Sequence, residues 1–226
     1  MLLGFSTGCL YKTHERIAKE TFAFFRSLGC NAIELKCQDD EHILKLINEI
    51  SRVDLLGFQY ISLHAPITFT VETLELIAKA HEKFHFECIV IHPDEVENWE
   101  IFSRFDLPFA IENMDWTKTI GKYVDSMQAI FQKLDTKMVF DINHCLTNDP
   151  SLFLAKEMAE QFEDRITEVH LSGFESSHEL LHITEQLEIL QAIPNKNLPI
   201  IIEGVCESEE EAKKEFAYIK KYLLKK

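Results

Sequence analysis

The chain has 226 residues, 46% of them hydrophobic and 27% charged, with a net charge of −15. That length supports one sizeable core of the size a single α/β barrel needs, so one domain over residues 1–226 is expected. So acidic a surface repels phosphate backbones, and no basic run offsets it, which disfavours a general nucleic-acid binder.

In chain order, Leu2–Ser6 reads as a short apolar strand, and Thr13–Leu28 has helical periodicity that stops at Gly29, a usual residue just past a helix end. Ala32–Lys36 is a second strand, followed by a helix near Glu41–Ile50. Gln59–His64 is a third strand before a helix over Val71–Phe84, and Cys88–His92 a fourth before a weaker helical segment over Val96–Phe105. Phe109–Asn113 and a helix over Ile120–Leu134 form the fifth unit. Met138–Asp141 is the sixth strand, and Asp149–Pro150 suits a helix start, because Asp caps and Pro fits the first turn. Ile166–Leu171 is the seventh strand, with a Ser- and His-rich loop and a helix over about Glu185–Ile193. Pro199–Glu203 is the eighth. Ser208 then caps a last helix whose first turn, Glu209–Glu211, and basic end, Lys220, Lys221, Lys225 and Lys226, complement the helix dipole.

This alternation predicts a single (β/α)8 TIM barrel with parallel strands. An open doubly wound sheet is disfavoured, since GFSTG after the first strand falls short of a phosphate-binding GxGxxG. The six cysteines have no CxxC spacing and read as reduced thiols. No signal peptide and no apolar run near the roughly 18 residues of a membrane span are found, so the expected compartment is the cytoplasm.

The strands share a second property: an apolar run ends in a metal-type ligand. YISLHAP ends on His64, CIVIHPD on His92, PFAIENMD on Glu112, KMVFDINH on Asp141 with His144 three residues on, ITEVHLSG on His170 and LPIIIEGV on Glu203. One ligand per βα unit would converge at the C-terminal end of the barrel. Any one of these residues has a bland reading, as a hydrogen-bonded structural histidine or a capping aspartate. Together they form a dense polar cluster with no Lys or Arg beside the six ends, and divalent cations supply the missing positive charge.

With these motifs in hand, the sequence resembles the xylose isomerase-like TIM barrels, which include sugar isomerases, epimerases and the endonuclease IV family. The resemblance runs from SLHAP to IIEG. It implies that Glu112, Asp141, His170 and Glu203 hold one divalent metal, Zn or Mn, with Glu112 and Glu203 as the catalytic acid/base pair on opposite substrate faces. It further implies that His64, His92 and Glu112 match a second metal site, and His144 a third, so one to three metals per chain. The Asp-x-His pair that completes the third site in the endonuclease branch is absent from GFESSHELLHI. His178 and His182 stand there instead, and His182 is expected to join the site.

Two reaction classes remain open. One is isomerisation or epimerisation of a sugar-like hydroxy-carbonyl through a metal-stabilised enediolate. The other is phosphodiester hydrolysis at a multinuclear zinc centre, which the His64–His92 pair favours. A non-catalytic metal-binding barrel is a third reading. The acidic balance and the short chain, with few residues left for DNA-gripping loops, favour the isomerase or epimerase and a small-molecule substrate, with neither nucleic acid nor membrane as partner. Secondary expectations are Lys36 or Glu34 at the mouth, and Tyr11, Trp116 or Phe174 as stacking residues.

Overall fold

In a closed parallel barrel both faces of a strand are buried, one against the helices and one inside the barrel, so the strands read as unbroken apolar runs. The computed structural model describes residues 1–224, and Lys225 and Lys226, expected in the basic helix end, lie outside the described residues. The strands β1 (Leu3–Ser6), β2 (Ala32–Lys36), β3 (Tyr60–His64), β4 (Cys88–Ile91), β5 (Phe109–Glu112), β6 (Lys137–Asp141), β7 (Ile166–Leu171) and β8 (Ile200–Ile202) close into one parallel barrel in sequence order. β8 returns to pair with β1. The chain therefore has the expected (β/α)8 architecture.

Alternation along each strand divides the core. Ile33, Leu35, Leu63, Ile89, Ile91, Ile111, Phe140, Val169 and Leu171 face outward into the shell shared with the helices. Ala32, Tyr60, Cys88, Val90, Ala110, Val139 and Ile201 form a separate cluster within the barrel. Gly4 is required where β1 meets β2, because a Cβ there would lie 1.7 Å from the Ala32 carbonyl oxygen.

The helices are α1 (Lys19–Ser27), α2 (Asp40–Glu49), α3 (Val71–Phe84), α4 (Val124–Lys133), α5 (Ile142–Asn148), α6 (Phe153–Gln161), α7 (Leu181–Thr184), α8 (Leu187–Gln191) and α9 (Glu209–Leu223). Four segments differ from the sequence reading. The first helix starts at Lys19, not Thr13, because Ala18 is extended and the stretch before it turns back through Thr21 Oγ1, which donates to the Glu15 carbonyl. The fourth connection has no α-helix over Val96–Phe105; it is made of two 3-10 turns, Pro93–Glu95 and Trp99–Arg104. Helix α5 starts directly at the sixth strand, since Asp141 accepts from the His144 amide at 2.9 Å as its N-cap. Asp149 closes that helix and accepts from the Leu154 amide at the start of α6. The helix expected over Glu185–Ile193 is shorter, α8 at Leu187–Gln191, and an additional short helix, α7, precedes it and ends at Glu185, which is left-handed at φ 54°.

The last helix follows expectation. The Ser208 hydroxyl accepts from the Glu211 amide, acidic residues fill the first turn, and Lys220 and Lys221 lie in the last. All six cysteines are buried and free of disulfides. Among the described residues no helix is long and apolar enough to cross a membrane.

Candidate metal centre

Strand parity builds the site. Lys36, His64, His92, Glu112, Asp141, His170 and Glu203 are the last inward positions of their units, and the registers Lys36↔His64 and Asp141↔His170 set neighbours level. One step below, Glu34, Ser62 and Glu168 also point inward, two residues before Lys36, His64 and His170. The C-terminal end of the barrel interior is thus polar over two layers; Glu34, Ser62 and Glu168 below are fully buried, while Lys36, His92 and Glu203 above remain partly open to the mouth.

Three groups of ligand-type atoms converge at the top layer: His64, His92 and Glu112; Glu112, Asp141, His170 and Glu203; and Asp141, His144 and His178. In the first, His64 Nε2 is 3.0 Å from His92 Nε2, and Glu112 Oε2 is 2.8 Å from His92 Nε2 and 3.6 Å from His64 Nε2. In the second, His170 Nδ1 lies 3.0 Å from Glu112 Oε1 and 3.3 Å from Glu203 Oε2. Ligands about 2.0–2.1 Å from a tetrahedral zinc lie roughly 3.3 Å from one another, so these separations, which also suit hydrogen bonds, are compatible with a shared cation.

Tautomers support the same reading. His64 Nδ1 faces the Ala65 carbonyl at 3.1 Å, and His144 Nδ1 faces the Asn113 carbonyl at 2.7 Å. A carbonyl only accepts, so each ring carries its proton on Nδ1 and turns the Nε2 lone pair toward the cluster when neutral. The carboxylates leave acceptors unmet: Glu112 Oε2, Asp141 Oδ2, Glu168 Oε2 and both oxygens of Glu34 are buried without a hydrogen bond. Glu112 Oε2 is near His92 but out of hydrogen-bonding alignment. Buried acceptors with no donor are costly, and a divalent cation satisfies them. The donor set, imidazole nitrogens with carboxylate oxygens, therefore fits a divalent metal ion.

Electrostatics of the metal-free side chains show the same deficit of positive charge. Burial works against a charged His170, yet Glu203, Glu112 and Glu34 around it outweigh burial and raise its pKa well above the usual imidazole range. Burial would raise Glu112, but His170 and His92 hold it well below the usual carboxylate range. Glu203 is likewise held low, against burial, by His170 and Lys36. Asp141 goes the other way: burial first, then Glu112, push it up to about 8. Burial and Lys36 lower His64. Lys36, whose Nζ is 4.0 Å from Glu203 Oε1, is the one lysine or arginine paired with these carboxylates among the described residues.

Of the residues expected at the site, His64, His92, Glu112, Asp141, His144, His170 and Glu203 are brought together, and His182 is not. The His182 amide and ring both engage Glu215 of α9, with Nδ1 2.8 Å from Glu215 Oε2. Four residues earlier, before α7 begins, His178 reaches the mouth, its Nδ1 2.9 Å from Ser172 Oγ and its ring 5.5 Å from that of His144. The choice of His182 is corrected to His178. The sequence cue was weak, because a His at either end of an i, i+4 pair looks alike until the helix start is known.

Two supports were missed. Asn113, read as the end of the fifth strand, is buried and clasps the Asp141 backbone: its Nδ2 donates to Asp141 O at 2.8 Å, and its Oδ1 accepts from Asp141 N at 2.9 Å. Glu168 Oε1 is 2.8 Å from His170 Nε2, so a carboxylate fixes the far side of that ring. Its position two residues before His170 on one strand was the available signal. Trp116 is 60% exposed, and Phe174 packs on the core. Tyr11 lines the mouth cavity, as the sequence allowed, whereas Glu34 does not reach it and is fully buried beside Glu168 and His170.

No protein-family model matches the sequence, and no curated protein matches it. Solved structures do. Endonuclease IV from Thermus thermophilus is 14% identical, covers 99% of both chains and superposes with a TM-score of 0.70. The probable 3-DHS dehydratase AsbF from Bacillus anthracis is 15% identical, covering 97% of this chain and 99% of that chain at 0.69. The 3-keto-D-glucoside 4-epimerase YcjR from E. coli is 15% identical, covering 98% of this chain and 99% of that one at 0.67. At these identities the likeness shows the fold alone, a closed (β/α)8 barrel.

Proposed function

We propose that the protein is a metal-dependent isomerase or epimerase acting on a small, sugar-like hydroxy-carbonyl. The observation that carries this reading is the placement of two carboxylates, Glu112 from β5 and Glu203 just past β8, on one imidazole nitrogen of His170, beside the mouth cavity that both line. Glu112, Asp141, His170 and Glu203 would hold one divalent cation. Such a cation, when bound, supplies the positive charge that polarises a carbonyl and makes an adjacent C–H acidic.

The chain's own residues account for the proton movements. Both glutamates are held ionised by their neighbours, the form a general base requires. In the forward direction Glu203 takes the proton next to the carbonyl, and the C–H electron pair enters the carbon–carbon bond of the enediol form. Glu112, ionised at rest, relays a solvent proton to the opposite face as the enediol form collapses back to the carbonyl, and Glu203 releases the proton it took to solvent. The product has the same number of protons and an inverted centre. Asn113 and the N-cap contact hold Asp141 rigid, and Glu168 holds His170, so the pair meets substrate in one geometry.

The nuclease reading has its own support in the second and third ligand groups, around His64–His92 and around His144–His178, which a single metal does not need. The solved structures of similar fold include an epimerase, a dehydratase and a nuclease, so they do not choose between the two. The chain's acidity and a mouth cavity of about 240 Å3, small beside the roughly 300–1,000 Å3 of drug-sized pockets, favour the small molecule. The test is incubation of the metal-loaded protein with an aldose and ketose panel in heavy water, read by NMR. Exchange of the proton next to the carbonyl, abolished in Glu203→Gln, is expected. Cleavage of an abasic-site duplex with no exchange on any sugar would establish the nuclease instead.

A further inference from the structure

Arg16 is unlike the other half-buried arginines. Arg26 donates to the Asp54 and Leu56 carbonyls, and Arg165 pairs with Asp135 and the Thr136 carbonyl. Arg16 makes no ion pair among the described residues, although the chain carries a net −15, and its buried Nε has no hydrogen-bond partner. A buried donor left unmet costs free energy, so a fold that keeps one at its mouth has a use for it. The guanidinium is held in place by the Tyr11 ring, whose centroid is 5.1 Å from Cζ. Arg16 lines the same cavity as Lys36, Gln38 and Glu203. Lys36 reaches that cavity across Gly8, where a Cβ would come within 3.3 Å of Lys36 Cγ.

We propose that Arg16 and Lys36 form an anion subsite at the mouth, which takes one phosphomonoester or carboxylate group of the substrate. The planar guanidinium presents paired donors to either oxyanion, and the lysine adds a point charge next to the proton-transfer carboxylate. The two cations share the cavity with Glu112, Asp115 and Glu203, and with a divalent cation offsetting those carboxylates they would attract a small anion to this mouth. The substrate class deepens from a neutral sugar to a sugar acid or sugar phosphate. That step rests on the isomerase reading, whereas the anion subsite itself does not.

The test uses metal-loaded full-length protein and calorimetric titration with D-fructose, D-fructose 6-phosphate, D-fructuronate and inorganic phosphate. At least one of the two anionic sugars should bind about ten-fold tighter than fructose, the size of one charge-assisted hydrogen bond. Which one does so separates a phosphate from a carboxylate. Arg16→Gln should bring that ratio close to one with metal content unchanged, and Arg16→Lys should keep part of it. If no sugar binds but inorganic phosphate does, and Arg16→Gln removes it, the subsite stands and the sugar isomerase reading falls. Equal binding of all three sugars, an Arg16→Gln ratio unchanged from wild type, or no binding of any sugar or of phosphate would overturn the proposal.

Discussion

The two ends of the barrel interior are made from the same eight strands with the same alternation, and their chemistry is opposite. Toward one end Ala32, Tyr60, Cys88, Val90, Ala110, Val139 and Ile201 pack on one another, reaching the level of the ligands at Val90 and Ile201, with the Tyr60 hydroxyl as the one side-chain oxygen of this set, buried without a hydrogen bond. At the other, Glu34, Glu112, Asp141, Glu168 and Glu203 crowd around His170, and several of their oxygens meet no donor. The first end contributes stability by burial, and the second gives some of it up, because buried carboxylates destabilise a fold unless positive charge meets them. Such a sacrifice is characteristic of a site that binds something, and it separates the residues that make the barrel from those that give it a use.

The contrast is broken most forcefully at neighbouring residues. His170 and Ile201 pair across β7 and β8. His170→Ala removes the group that balances the carboxylates and should cost about 3–5 kcal/mol by urea unfolding, with loss of bound metal by elemental analysis. Ile201→Ala opens a cavity and should cost about 2–5 kcal/mol, with metal content intact. Retention of metal by His170→Ala would mean that the polar end is not the metal centre.

Metal removal is the next largest effect. A cation that binds only the folded state, at about 100 times its dissociation constant, adds about 2.7 kcal/mol. A chelator should lower the melting temperature accordingly, and Asp141→Asn or Glu203→Gln should abolish the difference. The double variant His64→Ala, His92→Ala should lose about one metal equivalent and keep the rest. Unchanged stoichiometry there would make these histidines substrate contacts and remove the main support for the nuclease.

The pH dependence of the metal-free protein has a definite sign. Asp141 is raised when folded, so its share of stability is complete below the unfolded value of about 3.9 and is lost as pH rises through about 8. In chelator, wild type should therefore lose stability relative to Asp141→Asn between about pH 4 and about pH 8. Glu112 and Glu203, held low, act in the opposite sense: their contribution is present above the usual carboxylate range and is lost as pH falls through their depressed values. With metal present, deprotonation of Asp141 favours binding, and the fall toward pH 8 should disappear. Identical pH profiles for wild type and Asp141→Asn in chelator would show that Asp141 is not raised.

How far this contrast was legible in the sequence depends on period. Strand ends stood out because a period of two and a terminal His, Asp or Glu are local features, so the order of strands and the convergence of seven of the eight expected site residues were legible in the sequence alone. Helix starts are less local. Ala18 in an extended conformation and Glu185 in a left-handed one are backbone states that side-chain periodicity does not encode, and with them went the first helix start and the separation of α7 from α8. The lower carboxylate, Glu168, was overlooked because the reading stopped at the last residue of each strand, although its parity with His170 was visible in the sequence. Arg16 carried no signal at all, since its value lies in the partner it lacks.

The smallest expected effect concerns the two histidines of the seventh loop, which the sequence could not tell apart. Glu215 of α9 is fully buried and accepts from the Leu181 amide, the His182 amide and His182 Nδ1. It thereby caps the start of α7 and ties it to α9. His182→Ala removes one of three donors and leaves the two amides in place, so a loss of about 1–2 kcal/mol is expected, with metal content unchanged. His178 has the opposite profile. It is only half-buried and contributes little to packing, but its ring faces His144 beside Asp141. His178→Ala should leave the unfolding midpoint of the chelated protein within about 0.5 kcal/mol of wild type, while weakening uptake of the metal equivalent that Asp141 and His144 share. Titration of both variants with zinc and an indicator dye measures this directly. If His182→Ala loses a metal and His178→Ala does not, the loop joins the centre through its helix, as the sequence first suggested.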